Sequence, residues 1–570
     1  MNGITEYLSE ISLSDTLKDI ALTAIKYAVP LLALWILIRC ARSLLSIKKT
    51  NEVWAKLKTP DGNFIKITHW ENLLGRAKSS DILLNFPSVS RNHAVLIRKG
   101  EGEWRITDLR SKCGTLVNGV PVKGRMPVHY GDEISVGGIR LIFTEAENNY
   151  IPQPFPSKFS AGATFFLLSL MQVLCAVELL LNLNSESVWK VAVVFPALII
   201  VMWLYFAFVS ISRSKGFEIE TMAFLLTTIG FCATASVDCD ALFKQFAAMI
   251  AGLILYIFMC IILRHLEFSK KWRWFVAPLG LLLLIITYLF ADTVNGARNW
   301  IFIGPISIQP SELAKIAFVY AGTATLDRLL SRRNILLFAA FSASCIGILA
   351  LINDFGTAAI FFVAFVVIAF LRSGDFSTIV LSGASAGIAG FLALKFKPYV
   401  LNRFKAWRHV WEYAYDAGYQ QTRALMAIAS GGLFGIGAGS GILRYVAASD
   451  TDLVFSLVSE EWGLLISLCA VAVIVIWSVF AFRSAANSRS SFYVIGACAA
   501  TSIFCFQTML NVFGSVDIFP LTGVTFPFLS NGGSSMLAVW GLLAFIKAVD
   551  TRSDASFASM SVKRARRVKK

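Results

Sequence analysis

Charge is what this sequence has least of. Asp, Glu, Lys and Arg make up only 15% of its 570 residues, against 56% hydrophobic residues. A globular domain of that size needs a more polar surface, so the composition excludes a soluble protein and implies a chain that crosses a membrane repeatedly. The ten cysteines contain no CxxC pair and mostly sit inside apolar runs, and no His and Cys spacing suits a metal. That excludes a zinc centre and a disulfide framework and leaves the cysteines as small hydrophobes. The formal charge is +16, yet the Lys and Arg residues gather in short loops and at the tail. Membrane orientation accounts for that pattern, and no nucleic-acid partner is needed.

A cleavable signal peptide is not expected either, because the basic cluster follows the first apolar run and does not precede it. Ile20–Ile38 is long enough to cross a bilayer, and Arg39, Arg42, Lys48 and Lys49 follow it. The run reads as an uncleaved anchor with its N-terminus outside, so the following segment is expected in the cytoplasm.

That segment, Asn51–Thr144, is polar. Short alternating stretches (FIKIT, AVLIR, EWRIT, DEISVGGIRLIF) are separated by Gly, Pro and Asp turns, as in a compact antiparallel β-sandwich. Its loops carry Gly75-Arg76, Ser90-Arg91-Asn92-His93, Asp108 to Gly114-Thr115, and Asn118-Gly119. Arg76 can offer a bidentate fork to a phosphate, Ser90 a hydroxyl, and Arg91 and Lys112 further positive charge. On these residues the segment resembles a forkhead-associated (FHA) domain. The resemblance implies phosphothreonine binding through Arg76, Ser90, Arg91, Lys112 and Asn118, with His93 holding the loops and Asn118 bracing them. It also implies a phosphothreonine protein or Ser/Thr kinase substrate as partner. Cys113 stands where such domains usually place an Asn that touches the ligand backbone.

Beyond the Pro-rich stretch IPQPFPSK the chain is a succession of apolar runs, near 159–182, 188–211, 219–237, 241–264, 273–291, 312–327, 334–352, 355–371, 375–396, 453–482, 491–512 and 534–548. With the anchor this predicts a polytopic α-helical membrane protein of about 13 spans carrying an inserted cytoplasmic all-β sandwich. Counting spans from the anchor puts the basic loops at Arg213–Lys215, Arg264–Arg273, Arg328–Arg333, Arg372 and Arg483–Arg489, and the tail, on the cytoplasmic side. Phe396–Thr451 then lies outside, with the cations Lys397, Arg403, Lys405, Arg408 and Arg423. A basic surface there suits an anionic lipid-linked ligand, although longer loops also escape the charge rule.

Four polar islands interrupt the apolar runs. Gly418–Gly463 is glycine-rich and ends in Asp450, Asp452, Glu460 and Glu461 at the entrance to a hydrophobic segment. Such acids mark a functional site, or are simply solvated or paired with Arg423 and Arg444. In Asn295–Lys315, Gln309-Pro310-Ser311-Glu312 reads as a helix start, and Glu312 and Lys315 share one helical face. Asn353–Ala358 is a helix break and restart. Phe519–Gly541 is irregular, with Pro520, Pro527 and Gly532-Gly533. Irregular backbone at membrane depth is tolerated only inside protein or beside a wet cavity, so these breaks are expected to share one cavity.

In order, NGAR-W, QPSE-A-K, D-GTA, GYQ, A-ASGGLFG-G, TDLVFSLVSEEWG and PLTGV-FPF-S-GGSS resemble the SEDS (shape, elongation, division and sporulation) family across about Phe217–Ala548. The resemblance implies a peptidoglycan glycosyltransferase that polymerises lipid II into nascent glycan outside the membrane, with a class B penicillin-binding protein as partner. It carries the essential acid onto Asp452 and a functional pair onto Glu312 and Lys315. Arg298, Gln309, Ser311, Asp354, Arg423 and Ser530 become candidate substrate contacts, with Arg298 and Arg423 as the pyrophosphate clamp. A divalent cation at Asp452, Mg2+ or Mn2+, is the one cofactor left open. Asn353 stands where the family usually has Pro, Asn299 where it has Arg, Ile436 where Lys is frequent and Asn531 where Tyr is common.

The expected organisation is an anchor (1–49), an FHA domain (50–147), a linker (148–158), two extra helices (159–216), the polymerase core (217–550) and a basic tail (551–570). The FHA module would recruit or regulate the enzyme, with Thr50, Thr551, Ser553 and Ser556 as candidate phosphosites in cis. Two other readings stay open, a lipid-linked precursor transporter and a non-catalytic phospho-dependent scaffold of the cell-wall machinery.

Overall fold

The computed structural model describes residues 15–46, 53–77, 80–98, 103–146, 159–183, 185–212, 214–294, 296–304, 306–325, 332–373, 376–396, 401, 404–485, 490–550 and 556. The linker 148–158, Thr50, Thr551, Ser553, Lys397 and Arg403 lie outside these residues, as does the tail apart from Ser556. Ser556 is only 6% exposed and donates to the Lys547 carbonyl, so that candidate phosphosite is buried.

The alternating segments form eleven strands: β1 Ala55–Lys58, β2 Phe64–Ile67, β3 Glu71–Gly75, β4 Ile82–Leu83, β5 Ala94–Arg98, β6 Trp104–Asp108, β7 Thr115–Val117, β8 Val120–Pro121, β9 Arg125–Val128, β10 Glu133–Val136 and β11 Ile139–Glu145. They make a six-stranded sheet, β2-β1-β11-β10-β7-β8, facing a five-stranded sheet, β4-β3-β5-β6-β9. All pairings are antiparallel except the short β3–β4 pair. Alternate residues point inward, and Leu57, Leu96, Ile106, Ile134 and Phe143 build a core separate from that of the membrane helices.

The apolar runs form helices: α1 Asp15–Leu45, α2 Ala161–Asn182, α3 Trp189–Ile211, α4 Glu218–Val237, α5 Ala241–Leu263, α6 Leu266–Phe290, α7 Pro310–Thr325, α8 Arg332–Leu351, α9 Phe355–Ser373, α10 Phe376–Phe396, α11 Tyr419–Gly431, α12 Val454–Glu461, α13 Leu464–Ala485, α14 Ser491–Ser515 and α15 Gly533–Ala548. Ten of the described helices are long and apolar enough to cross a membrane, while α15 is a shorter apolar helix. The expected span at 453–482 is two helices. Gly463, at φ 92°, breaks the run where the Leu433 carbonyl presses against it, so α12 is a separate eight-residue helix and the span begins at Leu464.

Helices α1 to α3 wrap α4, which is buried throughout. Polar side chains fix that packing. Ser43 donates to Glu218 (2.6 Å), Gln172 to Thr228 (3.0 Å) and Tyr205 to Glu220 (2.8 Å). Glu220 also takes a bond from Tyr256 (2.7 Å) and pairs with buried Lys547, whose ammonium donates to the Gly216 carbonyl as well. This charge pair is tolerable because each partner is hydrogen-bonded. At the same end of the bundle, Ser491 at the start of α14 donates to Glu71 of β3, seating the sandwich on the helices.

Candidate functional sites

In the sandwich, one side chain organises the loops between strands. His93 is fully buried, its Nδ1 accepting from Ser90 N (3.1 Å) and its Nε2 meeting the Gly114 carbonyl (2.9 Å). The neutral tautomer with its proton on Nε2 satisfies both. Ser90 is thereby fixed. Its carbonyl accepts from Arg76 N (3.0 Å) and its Oγ from Lys112 N (3.1 Å). Arg76, Arg91 and Lys112 are exposed, and the backbone of each adjoins Ser90, so three basic residues sit next to it in the fold. Asp108 holds the 108–115 turn by accepting from Ser111 and Thr115. Burial alone would raise its pKa, but these bonds outweigh burial and hold the carboxyl below its ordinary value. Asn118 is used inside the fold, its Nδ2 donating to Asp132 (2.9 Å) and its Oδ1 accepting from Glu133 N (2.9 Å). Both ends of its amide are thus engaged within the fold, by Asp132 and Glu133.

The membrane islands meet at the opposite end of the bundle. Ser491 and Asn511 both lie on α14, and twenty residues at helical rise separate them by about 30 Å. Asn511 is buried, and its Nδ2 donates to the Asp452 carbonyl (3.0 Å) and the Val524 carbonyl (2.9 Å). Ser530 Oγ donates to the Thr451 carbonyl (2.6 Å) and accepts from Phe526 N (2.8 Å), and Asn531 bonds the Asp450 carboxylate (2.8 Å). The 450–452 turn is thus stitched to the 519–531 segment. Asp452 itself is half-buried, its Oδ2 against Gly523, where a Cβ would lie 3.2 Å away. Burial raises the neighbouring Asp450 carboxyl, opposed by the Asn531 bond.

Gln309, Ser311, Glu312 and Lys315 open α7. Gln309 N donates to Ser534 Oγ (2.9 Å) at the start of α15, which joins this island to the last one. One turn further on, Lys315 and Glu312 form a 2.6 Å ion pair at 1% and 4% exposure. Glu312 Oε2 and Ser311 Oγ are buried and have no hydrogen-bond partner among the described residues. Asp354 is occupied as the cap of α9, accepting from Thr357 N (3.0 Å), with Asn299 at 3.3 Å and Gln309 at 3.5 Å. Gly356 then packs against Thr522 and Val524. All four islands therefore share contacts.

Of the two clamp candidates, Arg298 is exposed and its Nε donates to the Ala291 carbonyl (3.4 Å). Arg423 is half-buried, lying 5.2 Å over the Tyr419 ring and against Met426. No hydrogen bond among the described residues joins Arg423 to the acids. Arg444 binds the Gly439 carbonyl, and Glu460 accepts the Ile442 and Leu443 amides, so these two residues shape the loop rather than pair with each other. Among the described residues no group of three or more His, Cys, Asp or Glu could hold a metal ion.

Sequence reasoning missed two features here. One is the antiparallel sheet of β12 Asp292–Val294, β13 Ala297–Ile303 and β14 Ile306–Ile308, whose cue was the alternation NWIFIGPISI around Gly304. The other is the pair of buried polar residues inside spans, Asn511 and Gln245. Gln245 holds the Ser530 carbonyl and Gly532 N, and a polar side chain within an apolar run was the available signal.

Comparison with known proteins identifies the family. The family model described as "Cell cycle protein" (FtsW/RodA/SpoVE) matches residues 218–555, and that of the FHA domain matches residues 72–137. A probable peptidoglycan glycosyltransferase FtsW of Pseudoalteromonas translucida is 32% identical over 49% of this chain and 73% of its own length. One of Tolumonas auensis is 31% identical over 52% of this chain and 82% of its own. A solved structure of a peptidoglycan synthase complex, described as coordinating polymerization and crosslinking, is 24% identical with a TM-score of 0.50, covering 58% of this chain and 96% of that one, and it supports the fold. The chain therefore belongs to the FtsW/RodA/SpoVE family, as a multi-pass membrane protein that carries an FHA domain among its N-terminal helices.

Proposed function

We propose that this protein is a peptidoglycan glycosyltransferase that polymerises lipid II at the outer face of the cytoplasmic membrane. The observation that carries the reading is Asp452, a half-buried carboxylate held between Gly523 and the Asn511-anchored backbone where four polar islands meet. As general base, Asp452 takes the proton of the acceptor sugar hydroxyl while that oxygen attacks the anomeric carbon of the donor. The bond from that carbon to the lipid pyrophosphate breaks, and the pyrophosphate leaves with the electron pair. Arg298 and Arg423 supply positive charge for it. The buried Glu312–Lys315 pair and Ser311 bring unmet hydrogen-bonding capacity that substrate hydroxyls can fill. A divalent cation at Asp452 would add charge stabilisation, with most of its ligands coming from pyrophosphate and water.

The sandwich lies on the cytoplasmic side and binds phosphothreonine through Arg76, Ser90, Arg91 and Lys112, so a phosphorylated protein recruits or regulates the enzyme. A class B penicillin-binding protein is the crosslinking partner. The test is lipid II polymerisation on gels, wild type against Asp452→Ala. Ladders lost in the variant support enzyme and acid together. Ladders that survive it overturn the role of Asp452. If neither protein makes glycan even with a class B penicillin-binding protein added, the scaffold reading replaces this one.

A further inference from the structure

Two helices that precede the family match close on the glycine-rich loop ahead of α12. Glu178 of α2 is 3% exposed, and its Oε1 accepts from the Ala438 amide at 3.0 Å. Leu183, which caps α2, packs so tightly on Gly439 that a Cβ there would lie 2.5 Å from its Cδ2. From α1, Tyr27 meets Phe434 edge-on with ring centroids 4.9 Å apart. The loop is in turn strapped to the end of α12, with Ile436 N donating to the Glu460 carbonyl (2.9 Å) and Gly437 N to the Glu461 carbonyl (3.0 Å). Helix α12 starts at Val454, two residues after Asp452, and its eight residues span about 12 Å.

We infer that Glu178 is a positioning residue for glycan polymerisation: from outside the family core it fixes the Gly435–Gly441 loop and, through α12, the orientation of Asp452. A buried amide is satisfied by one specific carboxylate oxygen, so the loop has a single well-defined seat. Asp452 is pinned at its own end by Asn511 and at the far end of α12 by this seat. The inference rests on Asp452 being the acid of a polymerase.

The test uses the full chain, with wild type and Asp452→Ala as references, and compares Glu178→Ala with Glu178→Gln. Glu178→Ala lowers kcat on lipid II on the order of 10- to 100-fold with KM little changed, as misplacement of a reacting group does. Glu178→Gln restores most of the rate, because its amide oxygen accepts the same bond. Hydrogen exchange at residues 434–441 rises in Glu178→Ala and not in Glu178→Gln. If Glu178→Ala does not accumulate, Leu183→Ala loosens the same seat and lowers kcat by a smaller factor. Wild-type kcat in the variant that folds, or a loss that Glu178→Gln shares, overturns the inference. If wild type makes no glycan even with a class B penicillin-binding protein added, the reading of function fails, and hydrogen exchange of the loop alone still decides the Glu178 contact.

Discussion

The Asp452 carboxylate rests against Gly523, a residue at φ 68° whose missing side chain leaves it room. Gly523→Ala would add a methyl 3.2 Å from Oδ2 and strain the backbone. The left-handed conformation costs a non-glycine residue about 1–2 kcal/mol. Displacing the acid costs more in rate, on the order of 10- to 100-fold. Polymerisation should fall much further than thermal stability does, with lipid II gels and melting curves run on the same preparation. Equal activity at an unchanged melting temperature would show that Gly523 does not set the position of Asp452.

Lys315 and Glu312 are a buried pair, and such pairs respond differently to losing one member or both. Lys315→Met alone leaves the Glu312 carboxylate without its cation and should destabilise the protein by about 3–5 kcal/mol. Replacing both, as Lys315→Met with Glu312→Leu, should recover most of that stability. Neither variant should polymerise lipid II if the pair serves substrate. Thermal melts and gels together separate the structural role from the functional one.

Much of this was legible in the sequence because it is local. Alternation of polar and apolar residues marked the sandwich, and the helix breaks at Gln309, Asp354 and Pro520 marked islands that do meet. Gly463 was harder to read. It follows Glu460-Glu461-Trp462 at the edge of the apolar run, and the Leu433–Gly435 backbone that occupies the place of its missing Cβ comes from a loop earlier in the chain. The use of Gln245 to hold Ser530 and of Glu178 as a loop anchor depends on partners 285 and 260 residues away. Periodicity carries no information about such pairings.

Asn353, where the family resemblance leads one to expect Pro, has a backbone that Pro cannot adopt. Its φ is 61°, and its Nδ2 donates to the Gly296 carbonyl at 3.3 Å. Proline is locked near −65° and cannot take that conformation. Asn353→Pro should therefore disturb the start of α9 and its contact with the 522–524 backbone, and lower polymerisation. Asn353→Gly should keep the fold with a small loss. Melting temperatures of the two variants, ranked against wild type, check this.

In the sandwich, exposed and engaged residues should behave differently. Arg76→Ala removes the proposed phosphate contact and should weaken binding of a phosphothreonine peptide at least tenfold without changing stability. Asn118→Ala breaks two bonds to Asp132 and Glu133 at about 1 kcal/mol each. It should lower stability first and affinity only as the loops loosen. Calorimetric titration with phosphorylated and unphosphorylated peptide, paired with urea unfolding, distinguishes the two.

Asp108 gives the sandwich an acid limit. Its carboxyl is held below the ordinary 3.8 by Ser111 and Thr115, against the opposing effect of burial. A folded pKa below the unfolded one means that the unfolded chain takes up its proton first as pH falls. The stabilisation is therefore complete above the unfolded value and is lost as pH drops through the folded one. Urea unfolding of residues 53–146, which have their own core, should show stability from this group level from neutral pH to about 5 and falling below about 4. Asp108→Asn should be less stable at pH 7 and lose less on acidification. Peptide affinity should decline earlier, near pH 6, because the phosphate itself takes up a proton there. If stability and affinity fell together near pH 6, the acid limit would belong to another group.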